Sequence, residues 1–274
     1  MKRVLVALLL LPLLFSYNKK KLTWVAIGDS ITYLNDHLPE TGNRVTKGYL
    51  TQVTELLPDV QYVNKGYNGW TAAQIAGAFD SLHIPPADVY TVFLGTNDWW
   101  QGRPVGTLAD YKKNTGNRTV FGSFRIIIDK LRKTSNHARI LLITPLRRTD
   151  FVYIGNMHNN AWGSYREKND QSLAQVAAAV ATIGHTAKLD VVDLYNDPEL
   201  GQKELVHFKR LRNPATGRYQ NYTYPYFHGI PFNPETDDYP YPPEAADLTY
   251  DGLHPSDKGN RIIAGRLVPL LKKR

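Results

Sequence analysis

Leu22-Thr23-Trp24-Val25-Ala26-Ile27-Gly28-Asp29-Ser30-Ile31-Thr32 is an almost unbroken apolar run that stops at a glycine and then presents an acid and two hydroxyls. A strand buried on both faces reads this way, and such strands belong to parallel sheets flanked by crossover helices. Further runs of the same kind are Val60 to Val63, Val89 to Leu94, Ile140 to Ile143 and Val191 to Leu194. Longer amphipathic segments separate them, which predicts helices over residues 48–57, 71–79, 121–133 and 164–186, with a last one over 258–271. The alternation is that of βαβ units and predicts one α/β domain around a mostly parallel five-stranded sheet. The rhythm breaks at residues 196–250, dense in Pro, Tyr and Asn. That stretch is expected to be an ordered insertion over the surface and a wall for substrate.

The 274 residues are 42% hydrophobic and 21% charged, enough for a full core and unlike a disordered or fibrous chain. The absence of cysteine excludes disulfides, a thiolate nucleophile and Cys-ligated zinc, so any nucleophile is a hydroxyl, carboxylate or amine. Met1-Lys2-Arg3 and the apolar run Val4 to Phe15 form a charged n-region and an h-region too short to span a bilayer comfortably. Residues 1–16 are therefore read as a signal peptide, and residues 17–274 as one periplasmic or secreted domain without stable membrane insertion. The 33 basic and 25 acidic residues give +8, and loss of Lys2 and Arg3 with the signal leaves +6. The basic residues are scattered, which fits a solvated surface that favours anionic partners and does not point to nucleic acid.

Ser30 falls at the carboxyl end of the first predicted strand, where open α/β sheets hold their ligands. The position suits a nucleophile and equally a helix N-cap. The third run leads into Gly95-Thr96-Asn97-Asp98-Trp99-Trp100, and in a singly wound sheet its end lies beside that of the first, so Asn97 can meet Ser30. The Asn97 amide offers two donor hydrogens and does not titrate, as an oxyanion requires, although Asn is also a common turn former. Asn64-Lys65-Gly66-Tyr67-Asn68-Gly69-Trp70-Thr71 sets two glycines before a predicted helix, and either can permit a turn or expose an N–H to an anion. In Asp251-Gly252-Leu253-His254-Pro255-Ser256 the carboxylate stands three residues before the imidazole. It can turn back on the ring, fix its tautomer and leave the other nitrogen to take a hydroxyl proton. No H-E-x-x-H occurs and the other His and Asp residues show no ligand spacing, so neither metal nor cofactor is expected.

In this order, Gly28-Asp29-Ser30, Gly69, Gly95-Thr96-Asn97-Asp98 and Asp251-Gly252-Leu253-His254 resemble the motifs of the GDSL or SGNH hydrolase family over nearly the whole mature chain. The resemblance implies a flavodoxin-like three-layer α/β/α sandwich and serine-dependent ester hydrolysis. It makes Ser30 the nucleophile, His254 its general base and then acid, and Asp251 the group that orients His254. The Ser30 N–H, the Gly69 N–H and the Asn97 side chain then form the oxyanion hole. Ile31 stands where the family often has leucine, and Gly69 is preferred to Gly66 because Asn68-Gly69-Trp70-Thr71 aligns with the family's small-residue-Gly-x-Thr pattern. Independently, a serine hydroxyl needs a base within hydrogen-bond reach, and His254 is the histidine with an evident orienter. The chain has no G-x-S-x-G elbow, which argues against the α/β-hydrolase alternative.

Trp70, Trp99 and Trp100 adjoin the oxyanion residues and Asp29 adjoins Ser30, so these four are the candidate substrate-binding residues, with the tryptophans expected to wall an aromatic groove. Arg44, Arg103, Arg147 and Arg148 map to the same edge and offer partners for a uronate or phosphate. The expected activity is removal of O-acetyl groups from a small or polymeric carbohydrate through an acyl-enzyme. A lysophospholipid acyl hydrolase is the alternative that a greasy tunnel favours. A non-catalytic glycan-binding protein on the same scaffold is a third, against which an intact Ser30, Asp251 and His254 speak.

Overall fold

The computed structural model describes residues 21–273, so the segment read as a signal, residues 1–16, lies outside the described residues. Four strands come first, β1 (Leu22–Gly28), β2 (Val60–Gly66), β3 (Val89–Phe93) and β4 (Arg139–Ile143). A two-residue ribbon of β5 (Phe151–Val152) and β6 (Asn160–Ala161) precedes β7 (Asp190–Val192), and a hairpin of β8 (Lys209–Arg212) and β9 (Tyr219–Tyr222) follows. The helices are α1 (Ser30–Tyr33), α2 (Tyr49–Leu56), α3 (Ala72–Ala78), α4 (Thr96–Trp100), α5 (Leu108–Lys113), α6 (Val120–Thr134), α7 (Leu173–Ala187) and α8 (Asp257–Lys272).

The central sheet has the order β2-β1-β3-β4-β7 with every pair parallel. Strand alternation feeds two cores: Val25 and Ile27 join the layer of α3, α6 and α7, while Trp24 and Ala26 join that of α2 and α8. The chain is thus an α/β/α sandwich. One expectation is corrected: the sheet is not singly wound. The chain steps from β1 to β2 on one side and crosses back to β3 on the other, and this reversal opens a crevice at the carboxyl ends of β1 and β3. The two ends are adjacent all the same, because β3 pairs directly with β1, Gly28 against Phe93.

The helix expected over residues 164–186 is also corrected, since α7 starts at Leu173. Ser172 and Gln175 form a capping box there, and Asn169 and Asp170 just before it have φ of 50° and 56°, which breaks any earlier helix. Within residues 196–250 the β8–β9 hairpin and a few single turns pack through their own apolar cluster, in which Leu211, Phe227 and Tyr241 meet Val152 of β5. Among the described residues no helix is long and apolar enough to cross a membrane.

Candidate active site

Gly28 ends β1, and the next residue caps α1: the Asp29 carboxylate accepts from the Ile31 N–H at 3.1 Å. Ser30 is the first residue of that helix, so its N–H has no intrahelical acceptor. Its Oγ lies 2.9 Å from His254 Nε2, and His254 Nδ1 lies 2.7 Å from Asp251 Oδ2. A carboxylate can only accept, so the Nδ1–H points at Asp251 and Nε2 is left to accept the Ser30 hydroxyl. Asp251 is fully buried, and its Oδ1 also accepts from the Leu253 and His254 N–H groups at 3.0 and 2.8 Å, which fixes the carboxylate against the ring.

The loop that presents this pair is pinned along its length. Gly252 has φ +91°, and its carbonyl accepts from the Thr149 N–H at 2.9 Å. A Cβ there would meet the Asp150 carbonyl oxygen at 2.0 Å, so only glycine fits. The Val152 N–H bonds the Asp251 carbonyl at 3.3 Å, and the Phe151 ring stands edge-on to the His254 ring at 5.4 Å.

Across the crevice, Asn97 on α4 and the turn at Gly69 are tied together. Asn97 Nδ2 donates to the Trp70 carbonyl at 3.1 Å, which leaves its second hydrogen free for another acceptor. Gln101 Nε2 donates to the Gly69 carbonyl at 2.9 Å, and the buried Asp98 carboxylate accepts from the Ala72 N–H at 2.9 and 3.1 Å. Burial pushes both Asp98 and Asp29 up to about 6, with their backbone hydrogen bonds opposing the shift. Gly69 itself has φ +77° in the turn closed by Trp70 N–H to the Tyr67 carbonyl, a conformation that requires glycine. Gly66, the competing candidate, ends β2 and gives its N–H to Asn64 Oδ1 at 2.8 Å.

A cavity of about 240 Å³ is lined by Ser30, Gly69, Asn97 and His254, together with Trp100, Arg148 and Phe151. Of the four residues expected to meet substrate, Trp100 lines it. The other three do not line it. Trp99 is 1% exposed in the core, with its indole N–H on the Gln171 carbonyl at 2.9 Å. Trp70 stacks on Tyr67 at 4.9 Å and packs on the core, and Asp29 is buried as a helix cap. Of the four arginines, Arg148 lines the cavity, whereas Arg44 and Arg147 donate to the Tyr241 and Tyr195 carbonyls. Arg148 stacks 4.9 Å from the rings of both Trp99 and Trp100, and burial pulls its guanidinium down to about 10. Sequence reasoning missed the β5–β6 wall and the tethering carboxylate of Asp98, neither of which has a periodic or spacing signal. Among the described residues, no group of three His, Asp or Glu side chains is arranged to hold a metal ion.

The chain resembles several solved structures along most of its length. A possible lipase from Chitinophaga pinensis is 62% identical, with a TM-score of 0.91 over 92% of this chain and 98% of that one. A protein from Lactobacillus plantarum is 20% identical, with a TM-score of 0.61 over 93% and 98%. A mutant form of an acetyl-xylooligosaccharide esterase from Geobacillus is 19% identical, with a TM-score of 0.52 over 92% and 95%, and shares the fold. Comparison with curated proteins returned no match. The profile of the GDSL-like Lipase/Acylhydrolase family matches residues 26–262. With a family match over most of its length and a close relative covering both chains, this carboxylic ester hydrolase belongs to the GDSL-like lipase/acylhydrolase family.

Proposed function

We propose that the protein is an exported serine esterase that removes O-acyl groups, in particular O-acetyl groups, from carbohydrate. The observation that carries the reading is the unbroken hydrogen-bond line from Ser30 Oγ through His254 to Asp251, at 2.9 and 2.7 Å, opening on a cavity that Gly69 and Asn97 also line. In the first half-reaction Ser30 Oγ bonds the acyl carbon while its proton passes to His254 Nε2. The carbonyl oxygen becomes an oxyanion held by the Ser30 and Gly69 N–H groups and the spare Asn97 hydrogen. Asp251 stays ionised beside the imidazolium, which then protonates the departing alkoxide and leaves acyl-Ser30. Water repeats the sequence and frees the acid.

A carbohydrate alcohol is favoured because polar side chains, Glu40, Asn68, Gln101 and Asn159, share the cavity lining with the triad. The test is hydrolysis of para-nitrophenyl acetate, butyrate and octanoate, with acetate release from acetylated polysaccharides, by wild type and Ser30→Ala. Acetyl preference with glycan deacetylation, both lost in the variant, is the expected result. Octanoate preference without deacetylation would replace carbohydrate by lipid as the substrate class.

A further inference from the structure

A second cavity, of about 260 Å³, adjoins the first, and Phe151 of β5 and Ala161 of β6 line both. Its walls bring Trp162 and Phe232 together with Asp150, Tyr165, Arg166 and Lys209. The Lys209 side chain is 3% exposed, with Nζ 3.0 Å from Asp150 Oδ2. Asp150 Oδ1 accepts from the Tyr165 hydroxyl at 2.6 Å and from the Gly163 N–H at 3.0 Å. This carboxylate is therefore fully used by interior donors and neutralises one cation.

Three further cations surround the same wall. Arg166 is exposed at the rim with its guanidinium 5.6 Å from the Tyr165 ring centroid, and Lys168 Nζ is 4.9 Å from that of Trp162. Arg148 is buried behind them and donates to the Trp162 carbonyl at 2.8 Å. Among the described residues none of the three has a carboxylate within ion-pair distance, Glu167 included, which is exposed between two of them. The Trp162 indole N–H, a donor only, is buried with no acceptor, and so is Arg148 Nε. A pocket lined by aromatic rings, with surplus positive charge about it, is complementary to a ring that carries an anion.

We infer that this second cavity is a subsite for an acidic sugar, a uronate-type unit next to the acylated one, with Arg166 facing its carboxylate and Trp162 and Phe232 flanking its ring. The inference rests on the carbohydrate reading above and adds to it the charge of the glycan.

The experiment compares kcat/KM for acetate release from an O-acetylated oligogalacturonide with that from the same oligosaccharide carrying methyl-esterified carboxylates, using wild type and Arg166→Ala. Both substrates meet the same enzyme preparation, so any loss of folded protein cancels in the ratio. Wild type is expected to prefer the charged form by roughly 10-fold or more, as a charge-assisted contact gives, and less so at high ionic strength. Arg166→Ala is expected to lower that ratio about 10-fold through KM on the charged form. Equal rates on the two forms, or a ratio that Arg166→Ala leaves unchanged, would overturn the subsite while the esterase reading stands. If neither oligosaccharide releases acetate although para-nitrophenyl acetate is cleaved, the subsite and the carbohydrate reading fall together.

Discussion

The wall of the cleft that carries Ser30, Gly69 and Asn97 is made of strand ends and helix starts, whereas the facing wall, residues 148–166 backed by the β8–β9 region, is made of loops and two-residue strands. The first is positioned by the parallel sheet itself, since β1 and β3 pair along their length. The second is held by side chains: the buried Asp150–Lys209 pair, the Tyr241 hydroxyl on the Asp150 carbonyl and the stacked Arg148. A hole for an oxyanion needs donors held to fractions of an ångström, which rigid elements supply. A wall that selects the alcohol part of an ester can vary with its loops. The His254 loop lies between the two and is bonded to the second, through Thr149 and Val152.

The comparison can be broken most sharply on the first wall. Ser30→Ala or His254→Ala is expected to lower kcat for para-nitrophenyl acetate by roughly 10⁶-fold, and the double variant by no more than either single one, because the two act as one unit. Additive losses in steady-state kinetics would separate them. Asn97→Ala is expected to cost about 10²–10³ in kcat with a small change in KM, which is the mark of a contact made to the transition state. A loss confined to KM would make Asn97 a substrate-binding group instead.

On the second wall the expected effects are on stability first. Lys209→Met leaves Asp150 buried and unpaired, at a cost of roughly 3 kcal/mol by urea denaturation, and adding Asp150→Asn should recover much of it. If the single variant is as stable as wild type, the wall is not held by this pair. The smallest effect tests the tether between Asn97 and α3. Asp98 rises from 3.8 to about 6 on folding, so the native state binds its proton more tightly than the unfolded chain does. Stability therefore falls as pH rises through that window, levels off above it, and returns on acidification. Asp98→Asn should flatten the wild-type profile of unfolding free energy between those pH values, and an unchanged slope would contradict the burial of this charge.

The same contrast decides what was legible in the sequence. β1 and β3 are continuous apolar runs because both faces are covered, and the residues after them, Ser30 and Asn97, inherit fixed places from the strands. Asp251 and His254 could be paired because they stand three positions apart. The second wall has no such signal: β5 and β6 are two residues each, and Lys209 reaches Asp150 across 59 positions of chain. Trp99 misled for a related reason. Adjacent residues on a one-turn helix point different ways, so Trp100 lines the cavity while Trp99 turns into the core.

The most direct test of the central claim, that Ser30 is the nucleophile activated by His254, is covalent labelling with a fluorophosphonate followed by peptide mass spectrometry. The account predicts one adduct per chain, on the peptide that contains Ser30, absent in Ser30→Ala and formed far more slowly in His254→Ala. Labelling of a different hydroxyl, or ester turnover by wild type with Ser30 unlabelled, would contradict it.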